Sequence, residues 1–167
     1  PIKAGSIERI GLNFGAPGDR KTRDGTLWLD YPSVGGPSPK IRIETKPKQP
    51  TFHYRHSNWM KAGAGWPWVA ASAVEGLQEL TLHDLKPGRY TVRLHFAEIA
   101  NINPGGRVQT IRLQGDAVLN RFDIRAEAKH RMTGIVRQSE NVKVDGTLTL
   151  ILEASTGQSL ISGIEVI

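Results

Sequence analysis

The stretch Lys86-Pro87-Gly88-Arg89-Tyr90-Thr91-Val92-Arg93-Leu94-His95-Phe96-Ala97-Glu98 decides the fold. After the turn at residues 86–88, Tyr90, Val92, Leu94 and Phe96 alternate with Thr91, Arg93 and His95. A period of two puts the first set on one face of a strand and the second set on the other. The same period recurs to either side. It runs through Ile10, Leu12 and Phe14, through Leu27 and Leu29 around Trp28, and through Leu80 and Leu82. It returns in Ile111 and Leu113 before Gly115-Asp116, and in Val142 and Val144 before Asp145-Gly146. Beyond that pair it continues in Leu148, Leu150 and Leu152. An Asp-Gly pair between alternating segments is a hairpin signal. Residues 161–167 read as a closing strand, and only Arg125 to Arg137 suggests a short helix. Recurring strands without a long helix predict an all-β protein, an antiparallel β-sandwich. Residues 15–26 and 32–51, rich in Gly, Pro, Lys and Ser, read as long loops of the kind that carry function.

A length of 167 residues suits one domain with a sizeable core. With no internal repeat or boundary, residues 1–167 are read as a single unit. Its start at Pro1, without Met, suggests a piece cut from a larger multidomain protein. No apolar run approaches the roughly 18–20 residues that cross a bilayer, so membrane insertion is not expected. The net charge is +6. The basic residues are nevertheless scattered among 16 acidic ones, without a long Lys/Arg block, so nucleic acid is not expected as a partner. Cysteine is absent, which excludes disulfides, thiolate metal sites and cysteine nucleophiles.

Catalytic signatures are missing too: there is no HExxH, P-loop, GxSxG or GxGxxG. His53 and His56, three apart, would hold a metal only with further ligands. A structural calcium ion is the more plausible metal, with Asp19, Asp24 and Asp30 as candidate ligands.

Aromatic residues make up only 7% of the chain but cluster. Phe52, Tyr54, Trp59, Trp66 and Trp68 fall within 17 residues, interleaved with His53, His56, Asn58 and Lys61. Flat aromatic faces stack on the apolar face of a pyranose, and planar polar groups read its hydroxyls. The segment Gly63-Ala64-Gly65-Trp66-Pro67-Trp68 can hold a tryptophan out on a loop. Trp66, Trp68, Trp59, Tyr54 and His56 are therefore candidate ligand contacts. The competing reading is that these aromatics fill the core. Trp28 points away from Leu27 and Leu29 and is a further candidate platform, unless it lies beneath a neighbouring loop.

Four segments, in order, resemble the malectin and malectin-like carbohydrate-binding domains. Residues 90–98 look like that family's strand ending in an HFAE-type motif. Residues 107–115 resemble its next strand and glycine turn, and Phe122-Asp123-Ile124 the segment after it. Gly146-Thr147-Leu148-Thr149-Leu150 with Ile161-Ser162-Gly163-Ile164-Glu165-Val166 resemble its paired C-terminal strands. The resemblance covers about residues 76–167, and the opening stretch Ile10–Gly15 is compatible with it.

It implies a galactose-binding-like jelly roll that binds saccharide on loops at one end. It also puts Asn101, Asn103 and Arg107 on a ligand-touching loop, where amides and a guanidinium suit hydroxyls or a carboxylate. Ordinary turn chemistry is the alternative there. Glu98 is expected to hydrogen-bond a neighbouring loop. Gln109 stands where the family carries an aromatic, so it is expected to face a polar pocket. Residues 99–103, Ile-Ala-Asn-Ile-Asn, lack the aromatics that contact ligand in malectin, so the malectin disaccharide is not carried over.

The resulting expectation is a non-catalytic carbohydrate-binding module, a lectin-like domain for an oligo- or polysaccharide. It would be attached to further domains and secreted, in an extracellular, periplasmic or cell-surface setting. A structural or protein-interaction sandwich is the alternative, and a polysaccharide-active enzyme a more distant one.

Overall fold

The computed structural model describes residues 2–167. Its largest sheet has seven strands, ordered β2 (Arg20–Lys21), β3 (Leu27–Tyr31), β1 (Ile10–Phe14), β15 (Gly163–Val166), β9 (Gly88–Phe96), β12 (Thr133–Val144) and β6 (Ala62–Gly63). A second sheet has the order β11 (Asp116–Phe122), β10 (Val108–Leu113), β13 (Leu148–Thr156), β8 (Glu79–Leu82) and β4 (Ile43–Lys46). A small third sheet joins β14 (Leu160–Ile161), β7 (Ala73–Glu75) and β5 (Thr51–His53). The helices are short: α1 (Pro67–Ala70) and α2 (Ile124–Ala128). The strands pair antiparallel except β1 with β3 and β12 with β6. This is the expected all-β sandwich of galactose-binding-like type.

Strand β9 behaves as its alternation requires. Tyr90, Val92, Leu94 and Phe96 are buried in the core, with Leu12 and Phe14 from β1, Leu80 and Leu82 from β8, and Leu148, Leu150 and Leu152 from β13. Each such side chain contributes roughly 1.5–3 kcal/mol when removed from water. The hairpin β10–β11 turns through Gln114 and Gly115. Both have positive φ, at 52° and 87°, as a two-residue primed turn demands. Helix α2 starts where Asp123 accepts a hydrogen bond from the Ala126 amide at 3.0 Å, so the short helix lies at the beginning of the segment read as helical.

Four expectations are corrected. Asp145-Gly146 does not close a hairpin: β12 pairs with β9 and β13 pairs with β8, so the turn carries the chain from one sheet to the other. For the same reason β13 and β15 are not partners. Gln109 faces no pocket. It is fully buried, and its amide both donates to the Leu160 carbonyl (2.8 Å) and accepts from the Leu160 amide (3.0 Å), docking β14 on β10. The segments read as long loops also contain β2 and β4.

The outer face of the large sheet carries a second packing layer. Gly11 on β1 and Gly163 on β15 leave a hollow filled by the Trp28 ring: a Cβ on Gly11 would lie 2.3 Å from it. The segment containing α1 closes over this ring, with Val69 and Ala70 buried. Registers Phe14–Tyr31, Asn13–Gly163, Gly163–His95 and Ile135–Phe96 bring the ends of β1, β3 and β9 and the starts of β15 and β12 to one end of the sandwich. The loops from that end hold the candidate site.

Candidate functional site

Strand β1 is apolar except for Asn13, which shares the outer face with Gly11. There Asn13 is buried, its amide donates to the Trp68 carbonyl at 3.3 Å, and its Oδ1 has no partner. Asn13 forms one wall of a cleft of about 200 Å³, lined also by Pro17, Asp19, Arg20, Tyr54, Arg55, His56, Ser57 and Trp68. Three predicted contacts, Tyr54, His56 and Trp68, therefore meet in one place. Tyr54 is 57% exposed. The His56 side chain accepts from the Asn58 amide and caps a single 3-10 turn, Ser57–Trp59.

Trp68 sits at the hub. Trp66 stacks on it with centroids 5.8 Å apart and planes 29° apart, and Trp28 meets it edge-on at 5.7 Å. The Arg20 guanidinium lies over the Trp68 ring, 4.7 Å from its centroid. Pro67 at the first position of α1 fixes the backbone between Trp66 and Trp68. Trp66 itself does not line the cleft. Trp59 stands apart on the 3-10 turn, 57% exposed.

Trp28 and Arg107 are not available as ligand contacts. Trp28 points outward from β3 as its parity requires but is 1% exposed, because the α1 segment covers it. Arg107 is 4% exposed and ties two carboxylates together. It donates to Glu98 through Nε at 2.7 Å and Nη2 at 3.2 Å, and to Glu75 through Nη2 at 2.9 Å. Its Nη1 also donates to the Gln158 carbonyl at 2.6 Å. Contrary to expectation, the Glu98 side chain bonds within its own loop rather than to a neighbouring one, accepting from Arg107 and from the Ala100 amide. Burial pushes the Glu75 carboxyl up, but hydrogen bonds from Arg107 and His53 outweigh it and hold the group below the usual range. Burial likewise opposes the Arg107 charge, and Glu98 and Glu75 more than restore it.

Asn101 and Asn103 are exposed on the loop after β9, away from the cleft lining, and the Asn103 carbonyl accepts from Gly106 in a tight turn. Asp19 accepts from the Asp30 amide, and Asp30 from the amides of Gly18 and Val34. Asp24 pairs with Thr22 and Arg9. Among the described residues no group of three or more His, Cys, Asp or Glu is placed to hold a metal ion.

His95, from the HFAE-like motif, lies under the α1 segment, edge-to-face with Trp28 at 5.2 Å. Neither ring nitrogen has a hydrogen-bond partner, and burial, helped by Arg93, lowers its pKa to about 4.

Sequence reading missed Asn13, Arg20 and Arg55. The first had a signal, a lone amide in the strand Ile-Gly-Leu-Asn-Phe. Arg20 and Arg55 are 35 positions apart and only the fold joins them.

The arrangement defines a class by its fold, a galactose-binding-like sandwich with an aromatic and polar cleft at its loop end. A malectin domain profile matches residues 80–166, just over half of the chain, and the chain belongs to the malectin domain family. No curated protein sequence matches. Among solved structures, Bacteroides uniformis β-glucuronidase superposes with a TM-score of 0.70 at 12% identity, over 95% of this chain and 18% of that chain. The extracellular domain of ANXUR1 from Arabidopsis thaliana gives 0.69 at 15% identity, over 94% and 47%. A chain in the crystal structure of plant peptide RALF23 in complex with FER and LLG2 gives 0.59 at 20% identity, over 98% and 51%. The chain thus spans about a fifth to a half of the solved chains it resembles, and the likeness is one of fold.

Proposed function

We propose that the chain is a non-catalytic carbohydrate-binding module whose saccharide site is the cleft between Tyr54, Trp68 and Asn13. The observation that carries this reading is the cleft's composition. An exposed aromatic ring stands beside an amide, two guanidiniums and an imidazole, the pairing of flat apolar and planar polar groups that sugars require. A glycosidase needs two opposed carboxyl groups. Asp19 alone among the cleft's lining residues is a carboxylate, which supports binding without hydrolysis. Residues 1–167 then act as one unit of a larger extracellular protein, holding that protein on a glycan and raising its local concentration. A single shallow site of this kind binds with a Kd on the order of micromolar to millimolar.

A protein-interaction role is the second reading. Trp59, exposed on its turn and outside the cleft, favours it, as does the likeness in fold to a chain in the crystal structure of plant peptide RALF23 in complex with FER and LLG2. The test is a glycan-array screen of the chain beside Tyr54→Ala, with circular dichroism as the check on folding. Tyr54 is the clean choice because an exposed substitution shifts stability by only about 0.5 kcal/mol. Binding to a defined glycan that Tyr54→Ala weakens at least about tenfold is expected. A folded chain that binds no glycan transfers the weight to a protein partner.

A further inference from the structure

The loop end sorts its charges in an unusual way. Its carboxylates are occupied: Glu98 and Glu75 by Arg107, Glu127 by Arg137, Asp123 by the Ala126 and Gly105 amides, and Asp19 by the Asp30 amide. Arg20 and Arg55 have neither a carboxylate within 4.0 Å nor a hydrogen-bond acceptor among the described residues, and both line the cleft. Arg55 is half-buried in that unpaired state. Its guanidinium nitrogens keep solvent contact and have no protein acceptor, which leaves them open to an anion. The Arg20 guanidinium is held over Trp68, its carbon 4.7 Å from the ring centroid, a cation–π contact that leaves its N–H donors without a protein acceptor.

A planar, pre-positioned fork matches a carboxylate in two parallel hydrogen bonds. The cleft volume, about 200 Å³, is below the roughly 300–1,000 Å³ of sites that engulf drug-sized ligands, so it takes one sugar residue of a chain. The single opposing charge, Asp19, already accepts one backbone hydrogen bond and leaves the two guanidiniums in excess.

We propose that the saccharide bound here is acidic: a uronic acid residue whose carboxylate is received by Arg20 and Arg55 while its ring lies against Tyr54. This rests on the saccharide reading of the same cleft and adds the ligand's class.

The test is isothermal titration of the intact chain with glucuronic- and galacturonic-acid disaccharides, their methyl esters and a sulfated disaccharide. One of the acids is expected to bind at least about tenfold tighter than its ester, with affinity falling as salt rises. Arg20→Gln and Arg55→Gln should each cost the acid about tenfold more than they cost the ester, removing the preference for the acid. Arg20→Lys, which keeps the charge but not the planar fork, should not restore it. Equal affinity for acid and ester overturns this inference and leaves the saccharide reading standing. Tighter binding of the sulfated sugar overturns the carboxylate assignment. A folded chain that binds none of the probes overturns this inference, and the glycan array then decides the saccharide reading by itself.

Discussion

Two loops leave the same end of the sandwich and have opposite characters. The loop of residues 97–107 turns its chemistry inward, with Glu98 fully buried and Arg107 bonded to it twice. The loop of residues 54–68 turns its chemistry outward, with Tyr54 exposed and Arg55 and Trp68 facing a cleft. A carboxylate and a guanidinium that satisfy each other hold a loop in place. Groups left without partners are the ones open to a ligand. Sequence motif strength and function are therefore separated here: the recognisable HFAE-type stretch is architecture, and the less patterned aromatic stretch is the candidate site.

The largest effect should come from breaking the inward loop. Glu98→Ala leaves Arg107 buried with one of its two carboxylates gone, and should cost about 3–5 kcal/mol in chemical denaturation. A loss below about 1 kcal/mol would class this pair with ordinary surface bridges and erase the contrast.

A smaller effect should follow from acid. His95 is buried neutral with its pKa lowered to about 4 from an ordinary 6.5, so the unfolded chain takes up its proton first. Its contribution is complete above pH 6.5 and is lost as pH falls through about 4, amounting to about 3 kcal/mol. Glu75, held low by Arg107 and His53, adds a loss of the same sign below the ordinary carboxylate pKa of 4.5. Urea midpoints between pH 7 and 4 should therefore drop in the native chain and drop less in His95→Leu. Equal slopes would show that the cover over His95 opens freely.

Smallest is the expected cost of filling the hollow under Trp28. In Gly163→Ala the new methyl would lie 2.6 Å from Val69 and 2.8 Å from the Leu12 carbonyl. Overpacking of this kind costs about 1–3 kcal/mol and should shift tryptophan emission as the α1 segment lifts. Unchanged emission and stability would mean that the segment is loosely laid.

The core was legible because it follows a local rule. Alternation in Tyr90–Phe96 and Leu148–Leu152 reads directly as buried face and open face, and the buried face came out as read in both strands. What the rule leaves out is a third layer. Trp28 and His95 have the outward parity their strands assign them, yet both are buried, because a four-residue helix lies over them. A helix that short has no periodicity to detect. The Asp145-Gly146 turn shows the same limit, since a turn residue pair marks a reversal without naming the sheet the next strand joins. In the site, Tyr54, His56 and Trp68 were visible as a cluster along the chain. Arg20 and Asn13 reach them from β2 and β1 by long-range packing that no local window contains.

Strand β15 lies between β1 and β9, pairing Ile10 with Val166 on one side and Val92 with Val166 on the other. The large sheet is therefore two half-sheets until residues 163–166 are inserted, and the last-made strand works as its keystone. On a ribosome, β1 and β3 must wait unpaired with the rest while some 130 further residues emerge, so closure is late and all-or-none. Because the cleft draws Asn13 and Arg20 from the β1 side of that seam, a nascent chain cannot display a finished site before the whole domain has been threaded.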